Sequence, residues 1–161
     1  MKSGIHVVLV EPRIPQNTGN IGRLCVASDT ILHLIHPLGF NLSQKEIKRS
    51  GMDYWQYLDV REYQNLEIFW QNFPLTQRHF LLSTKAKKNY YDAPFGTKSQ
   101  NQDECFLYFG REDQGLPQWL LDQHFNQAYR IPMKEGIRSI NLATSVGIVL
   151  YEAIRQLAVF D

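Results

Sequence analysis

The sequence predicts an α/β protein, in which a parallel sheet is flanked by helices on both faces. Short apolar runs alternate about six times with segments of helical spacing, which is the pattern of consecutive strand–helix units. The first run, Ile5 to Val10, is almost continuously apolar, as expected for a strand buried on both faces. No repeat, low-complexity segment or linker interrupts the 161 residues, so we expect a single domain over residues 1–161.

The first half of the chain is expected to alternate strands with helices. Apolar runs predict strands at residues 5–10, 31–35 and 57–60. Helical spacing of apolar residues predicts helices at residues 21–28, 43–51 and 65–73. Asn17, Thr18 or Asn20 is a candidate cap for the first helix. Ser43 and Glu46 form a capping box at the start of the second.

The second half of the chain continues the alternation. Strands are predicted at residues 79–83, 105–109 and 129–131. Helices are predicted at residues 117–121 and 141–160, the last with a long apolar stripe. Residues 85–103 are predicted to be a loop, because they include Pro94 and Gly96 and show no clear period.

Composition excludes several classes of protein. Hydrophobic residues make up 43% of the chain and charged residues 20%, which rules out a disordered or fibrous protein. No apolar run approaches the ~20 residues that span a bilayer, and the N-terminus lacks a signal-peptide pattern. Cys25 and Cys105 form neither a disulfide framework nor a metal motif. We therefore expect a cytoplasmic protein without a membrane partner, whose net charge of +1 restricts nucleic-acid binding to local patches.

The loops that follow the strands are the expected ligand site, since ligands of open α/β sheets bind beyond the carboxyl ends of the strands. Gly110 and Gly115 would let the backbone approach a ligand closely, although such glycines also make ordinary tight turns. The common nucleotide, metal-protease and nucleophile-elbow motifs are absent. The sheet therefore binds its ligand in an uncommon way or binds no nucleotide.

Three segments carry a resemblance to a known family. They are Glu11-Pro12-Arg13-Ile14-Pro15-Gln16-Asn17-Thr18-Gly19-Asn20-Ile21-Gly22-Arg23-Leu24-Cys25, then Phe109-Gly110-Arg111-Glu112 with Gly115-Leu116-Pro117, then Ile131-Pro132-Met133 with Arg138-Ser139-Ile140-Asn141-Leu142. In order and spacing they closely resemble the three motifs of the SPOUT ribose methyltransferases. The first segment resembles the small single-domain members that 2′-O-methylate the wobble nucleotide of tRNA.

The resemblance implies a fold, a cofactor and a partner. The C-terminal part of the sheet would be tied into a deep trefoil knot, and the protein would be a homodimer. The cofactor would be S-adenosylmethionine, leaving S-adenosylhomocysteine, with no metal. The substrate would be the 2′-OH of nucleotide 34, a cytidine or modified uridine, in the anticodon stem-loop of leucine tRNA, and not DNA. A different tRNA or rRNA ribose, or a non-catalytic RNA-binding role for the same fold, remain alternatives.

The resemblance also assigns residues. Leu82, Gly110, Ile131 and Ser139 match cofactor-binding positions, and at Gly110 we expect any Cβ branch to enter the space of the cofactor. Arg23 matches the arginine beside the ribose 2′-OH. Because a guanidinium stays charged, our hypothesis is that Arg23 orients the ribose and stabilises the developing alkoxide.

Each assignment has an ordinary structural alternative. Asn17, Glu112 and Asn141 match polar motif positions of less certain role. Ser139 and Asn141 are also good caps for the last helix, and Glu112 could be a solvated loop charge. Arg23 could be a surface cation, while Leu82 and Ile131 could be core residues.

Two basic groups are candidates for contact with RNA. The segment Lys85-Ala86-Lys87-Lys88-Asn89-Tyr90-Tyr91 interleaves cations with aromatic rings, and the second group is Lys45, Lys48 and Arg49. Both could equally be solvated surface. The second motif departs from the family at Arg111, Asp113 and Gln114, where relatives often have Pro, Thr and Arg; one basic contact is lost at Gln114 and one gained at Arg111.

Overall fold

A computed structural model of the chain describes residues 3–43, 45, 53–97 and 104–160. The strands are β1 Ile5–Val10, β2 Ile31–Ile35, β3 Val60–Tyr63, β4 His79–Leu82, β5 Lys88–Asn89, β6 Cys105–Phe109 and β7 Ala128–Arg130. The α-helices that lie wholly within these ranges are α1 Pro15–Ser28, α2 Leu66–Asn72, α3 Gln118–Gln123 and α4 Leu142–Leu157. The strands form one sheet in the order β3-β2-β1-β6-β4-β7-β5, and every pairing is parallel.

The hydrophobic core lies on both faces of the sheet. Alternate residues of β1 point to opposite sides, so Val7 and Leu9 belong to one apolar cluster and Val8 and Val10 to the other. The first cluster includes the buried sides of α1 and α4, and the second includes those of α2 and α3. The predicted parallel α/β architecture is therefore confirmed, and burial on both faces explains the continuous apolar runs of the central strands.

The predicted strands at residues 5–10, 31–35 and 105–109 coincide with β1, β2 and β6. The strand predicted at 57–60 is wrong, because Asp53–Tyr57 is a 3-10 helix and β3 begins at Val60. As an edge strand with charged residues in its centre, β3 lacks the apolar run that marks a buried strand. The polar pair Lys88–Asn89 likewise forms the other edge of the sheet within the predicted loop.

Asparagine side chains cap two of the helices, whereas the caps predicted for the first helix are not found. The side chains of Asn65 and Asn141 accept hydrogen bonds from the first turns of α2 and α4. The caps proposed for the first helix are wrong, because α1 begins at Pro15 and contains Asn17, Thr18 and Asn20 within its own turns. The capping box of Ser43 with Glu46 involves a residue outside the described ranges.

A row of aromatic rings crosses the α2 face of the sheet. It includes three buried histidines, one each from β1, β2 and β4, and Phe106 stacks between His6 and His79. His6 Nδ1 lies 2.8 Å from His33 Nε2, and His6 Nε2 lies 3.0 Å from Glu104 Oε1. Burial lowers the pKa of His33 to about 3 and that of His79 to about 4. The row is therefore held in its neutral form near pH 7.

Across the described parts of the chain, no helix combines the length and the apolar character needed to traverse a lipid bilayer.

Candidate functional site

A cavity of about 400 Å³ opens at the carboxyl edge of the sheet, a size typical of small-molecule sites. Because the strands are parallel, the loops after β4, β6 and β7 all meet there. Its apolar walls include Leu82, Leu116, Leu121, Ile131, Ile140 and Leu142. Its polar lining includes Ser83, Thr84, Lys85, Arg138, Ser139 and Asn141. Such a cavity suits a ligand with a flat apolar part and a polar periphery.

The structure brings together Leu82, Gly110, Ile131 and Ser139, which all line this cavity. Leu82 is the last residue of β4, Gly110 directly follows β6, and Ile131 directly follows β7. Ser139 lies in the loop before α4. The four positions matched to cofactor binding thus come from four separate parts of the chain and share one cavity.

The structure gives a reason for glycine at position 110 that does not depend on a ligand. A Cβ atom at this position would lie 1.9 Å from the carbonyl carbon of Gly115 and 2.1 Å from the backbone nitrogen of Leu116. Arg111 and Gly115 exchange backbone hydrogen bonds of 3.1 and 2.8 Å, which close the intervening loop into a tight turn. A side chain at residue 110 would therefore meet the backbone of its own loop, and the expectation that it would also enter the cofactor space stays a prediction.

A carboxylate ties the first motif to the second. Glu112 accepts hydrogen bonds from the backbone N–H groups of Arg13, at 2.9 Å, and Ile14, at 2.6 Å, at the start of α1. The side-chain amide of Asn17 lies 3.5 Å from the same carboxylate and accepts a hydrogen bond of 3.1 Å from Asn141. Glu112 is thus not a free loop charge, and the polar residues of all three motifs form one network beside the cavity.

Arg23 is exposed on α1 and does not line the cavity. It lies six positions after Asn17, which places it about 9 Å along the helix and about 120° around it. Its guanidinium carbon lies 5.7 Å from the centre of the Tyr54 ring. The structure therefore separates the predicted catalytic residue from the predicted cofactor residues of the same chain. The contact between Arg23 and Tyr54 could not be predicted from the sequence, because the two residues are far apart in the chain.

The charges around the cavity are partly paired. Arg111 forms hydrogen bonds of 2.9 and 2.8 Å with the carboxylate of Asp113, and the guanidinium lowers the pKa of that carboxyl. The positive charge gained at Arg111 is therefore offset by its neighbour. Lys85 donates to Gln118 at 2.7 Å, and the Lys88 ammonium lies 4.5 Å from the centre of the Tyr129 ring.

The second predicted basic group retains only Lys45 among the described residues, because Lys48 and Arg49 lie outside them. The described residues also contain no group of three or more His, Cys, Asp or Glu side chains that could hold a metal ion.

A family model and a similar curated protein both relate this chain to RNA methyltransferases. The sequence model of the SpoU rRNA Methylase family matches residues 4–151. A tRNA (cytidine(34)-2′-O)-methyltransferase from Yersinia pestis is 41% identical over 158 residues, which cover 95% of this chain and 94% of the relative.

Two solved structures superpose on the chain. One, described as giving structural insights into the 2-OH methylation of C/U34 on tRNA, is 40% identical with a TM-score of 0.84 and covers 96% of each chain. The other, an AdoMet-bound rRNA methyltransferase from Sinorhizobium meliloti, is 26% identical with a TM-score of 0.77. The superposition covers 98% of this chain and 58% of that one.

Proposed function

Because the chain belongs to the SpoU rRNA Methylase family, we propose that it methylates the ribose 2′-OH of the wobble nucleotide 34 of tRNA with S-adenosylmethionine as donor. The nucleotide is a cytidine or a modified uridine, and the tRNA is a leucine isoacceptor. The observation that carries the proposal is the cavity in which residues of the second and third motifs meet. Relatives similar over nearly the whole chain act on tRNA position 34, which supports the target.

The cavity suits S-adenosylmethionine in size and lining. Leu82 and Ile131 would pack against the adenosine, Ser139 would offer a hydroxyl, and Gly110 keeps the adjoining loop folded. When bound, this cofactor supplies a methyl group on a sulfonium, a transfer that needs no metal. S-adenosylhomocysteine is the product. The trefoil knot is part of the same proposal and is supported by membership of the SpoU family.

Arg23 acts on the ribose by charge. Arginine is a hydrogen-bond donor without an acceptor, so Arg23 is not the base. It donates hydrogen bonds to the ribose and stabilises the oxygen as negative charge develops there. The proton of the 2′-OH then passes to water or a phosphate oxygen.

The position of Arg23 supports a homodimer in which each site uses both chains. Since Arg23 does not line the cavity of its own chain, we infer that it serves the cavity of the partner protomer. Tyr151 on α4 leaves 44% of its surface exposed and is a candidate for the interface.

The dimer is tested by mixing two inactive variants. A heterodimer of Arg23→Ala with a cofactor-deficient Leu82→Asp protomer contains one intact site only if Arg23 acts across the interface. Restored activity supports that arrangement. The arrangement is contradicted if native mass spectrometry shows that the two inactive variants form heterodimers and the mixture still has no activity.

The RNA partner is the anticodon stem-loop. Its bases are unpaired and can stack on aromatic side chains while lysines contact phosphates. The mixed basic and aromatic segment 85–91 lies next to the cavity, because Lys85 lines it, and is our candidate RNA contact. We place the whole activity in one cytoplasmic domain without a membrane or DNA partner.

The function is tested by transfer of labelled methyl from S-adenosylmethionine to bulk tRNA from a strain lacking this protein. The modified nucleotide is identified by nuclease digestion and mass spectrometry. A 2′-O-methylated nucleotide 34 in leucine tRNA is the expected product. Label at another ribose would keep the reaction and change the target. Absence of both transfer and cofactor binding would favour a non-catalytic RNA-binding protein.

The role of Arg23 has its own test. Arg23→Ala should lower kcat by about a hundredfold, since one electrostatic donor to a developing oxyanion has an effect of that order. Its affinity for S-adenosylmethionine, measured by calorimetry, should stay within about twofold of the original, because the residue lies outside the cavity. Equal losses of both quantities would contradict the assigned role.

A further inference from the structure

Residues 53–58, which we term the strap, cross α1 at the turn that carries Arg23. The strap consists of the 3-10 helix Asp53–Tyr57 and the following Leu58. Its contacts with α1 centre on two aromatic residues, Tyr54 and Trp55. The strap therefore covers the part of α1 from which the catalytic candidate extends.

Gly22 lets the strap lie close to α1. A Cβ atom at Gly22 would lie 3.1 Å from Cδ2 of Leu58 and 3.2 Å from Cζ3 of Trp55, tighter than most real contacts. Gly22 is buried and directly precedes Arg23. Close packing at this position holds the strap against the same helical turn.

Tyr54 contacts Arg23 in two ways. Its ring faces the guanidinium, with 5.7 Å between the guanidinium carbon and the ring centre, which is within the range of a cation–π contact. Its hydroxyl donates a hydrogen bond to the carbonyl of Gly19, four positions before Arg23 on α1. Tyr54 thus contacts both the charged group and the helical turn beneath it.

We propose that Tyr54 is a positioning residue that holds the Arg23 guanidinium in the direction needed for catalysis. This inference rests on the proposed function. An arginine side chain has several rotatable bonds, and an exposed one samples many directions, so holding it on a ring removes misdirected conformers before substrate binds. A cation–π contact uses the charge of the guanidinium, and its five N–H groups remain the donors that can bind a ribose oxygen.

A carboxylate would restrain Arg23 in a different way, by occupying those N–H donors. Within the described ranges no carboxylate forms an ion pair with Arg23. An aromatic partner is therefore suited to a guanidinium that must stabilise a developing oxyanion.

The inference is tested by kinetics of Tyr54 variants with and without Arg23. Tyr54→Leu removes the ring contact and should lower kcat about tenfold or more, with KM for S-adenosylmethionine unchanged, because misplacing a reacting group has effects of this size. Tyr54→Phe keeps the ring and should retain kcat within about threefold. Tyr57→Leu alters a neighbouring tyrosine that is 73% exposed and should behave like the unmodified protein.

The double variant decides between positioning and general support. In an Arg23→Ala background, Tyr54→Leu should cause no further loss of kcat, because its effect passes through Arg23. The same fold-loss in both backgrounds would overturn the proposal while leaving the proposed function intact. Full turnover by Arg23→Ala alone would instead remove Arg23 from the reaction and with it the role of Tyr54.

A second measurement applies even if Tyr54→Leu fails to fold. The Nε–H nuclear magnetic resonance signal of Arg23, assigned by its disappearance in Arg23→Lys, should show a ring-current shift and restricted motion in the unmodified protein. A signal with the shift and mobility of a free arginine side chain would overturn the proposal.

Discussion

Gly110 shows how one missing side chain supports the site. The residue lines the cavity directly after β6, yet the space that a side chain would need is filled by the backbone at Gly115 and Leu116. The tight turn is closed by hydrogen bonds between Arg111 and Gly115, and Gly115 has a φ of +73°, which favours glycine. Gly110 therefore allows the loop that lines the cavity to close into its tight turn.

We predict that Gly110→Ala loses stability and cofactor affinity together. A Cβ atom 1.9 Å from a backbone carbon forces the turn open, at a cost of about 2 kcal/mol or more in the free energy of unfolding. Thermal unfolding without ligand and calorimetry with S-adenosylmethionine measure the two effects separately. A variant that melts normally and fails only to bind would show that the side chain enters the cofactor space after all.

Gly147→Ala is the matched control for Gly110→Ala. It lies inside α4, where a Cβ atom would make an ordinary contact at 3.5 Å with Leu24. Alanine is the better helix former, so this variant should melt at or above the original temperature and bind the cofactor normally.

At the scale of elements, α4 is both a core helix and the support of the third motif. Asn141 caps it, accepting a hydrogen bond of 3.2 Å from the backbone of Thr144. The same side chain donates to Asn17 of α1 at 3.1 Å. The alternatives for Asn141, a cap or a motif residue, are therefore compatible, because its oxygen serves the helix and its amide group serves the network beside the cavity.

We predict that two substitutions of Asn141 separate these roles. Asn141→Asp keeps the oxygen that caps α4 but removes the donor to Asn17, so it should melt normally and lose turnover. Asn141→Ala removes both contacts and should also lose about 1 kcal/mol of stability.

Asn65→Ala provides the control, because it removes the cap of α2, a hydrogen bond of 2.9 Å to Ile68, far from the motifs. It should cost about as much stability as Asn141→Ala while turnover stays normal. Chemical denaturation and methyl-transfer assays of the three variants measure both quantities. Normal turnover by Asn141→Asp would show that the contact with Asn17 is dispensable.

For the molecule as a whole, the buried histidines couple stability to pH. The folded pKa values, about 3 for His33 and about 4 for His79, lie below the ordinary value of 6.5. The unfolded chain thus binds protons at a pH where the folded protein does not. The stability that depends on these neutral rings is complete above about pH 6.5 and is lost as the pH falls toward 4 and then 3.

We predict that the free energy of unfolding falls by about 1.6 kcal/mol for each of His33 and His79 between pH 6.5 and pH 5. Urea denaturation at the two pH values measures the fall. The Tyr108 hydroxyl oxygen lies 2.6 Å from His79 Nδ1, and the amide of His79→Gln can still accept a hydrogen bond from that hydroxyl. In this variant the free energy of unfolding should fall less, by about the contribution of one histidine. An unchanged fall in that variant would show that His79 does not carry the coupling.

The sequence by itself determined the parallel α/β class and the bounds of the central strands. Those strands are buried on both faces, so their apolar character is continuous and local. The edge strands β3 and β5 escaped prediction because an edge is solvated on one side and its residues are polar. The motif segments were visible in the sequence because their residues are contiguous or nearly so.

Only the tertiary structure decided how those segments meet. It brings Leu82, Gly110, Ile131 and Ser139 to one cavity and places Arg23 outside its lining, over the ring of Tyr54. It also shows that the backbone N–H groups just before α1 donate to the carboxylate of Glu112, a residue nearly a hundred positions later in the sequence. The physical reason is that hydrophobic periodicity records which side of an element is buried, while the distance between two loops depends on the strand order and register of the assembled sheet.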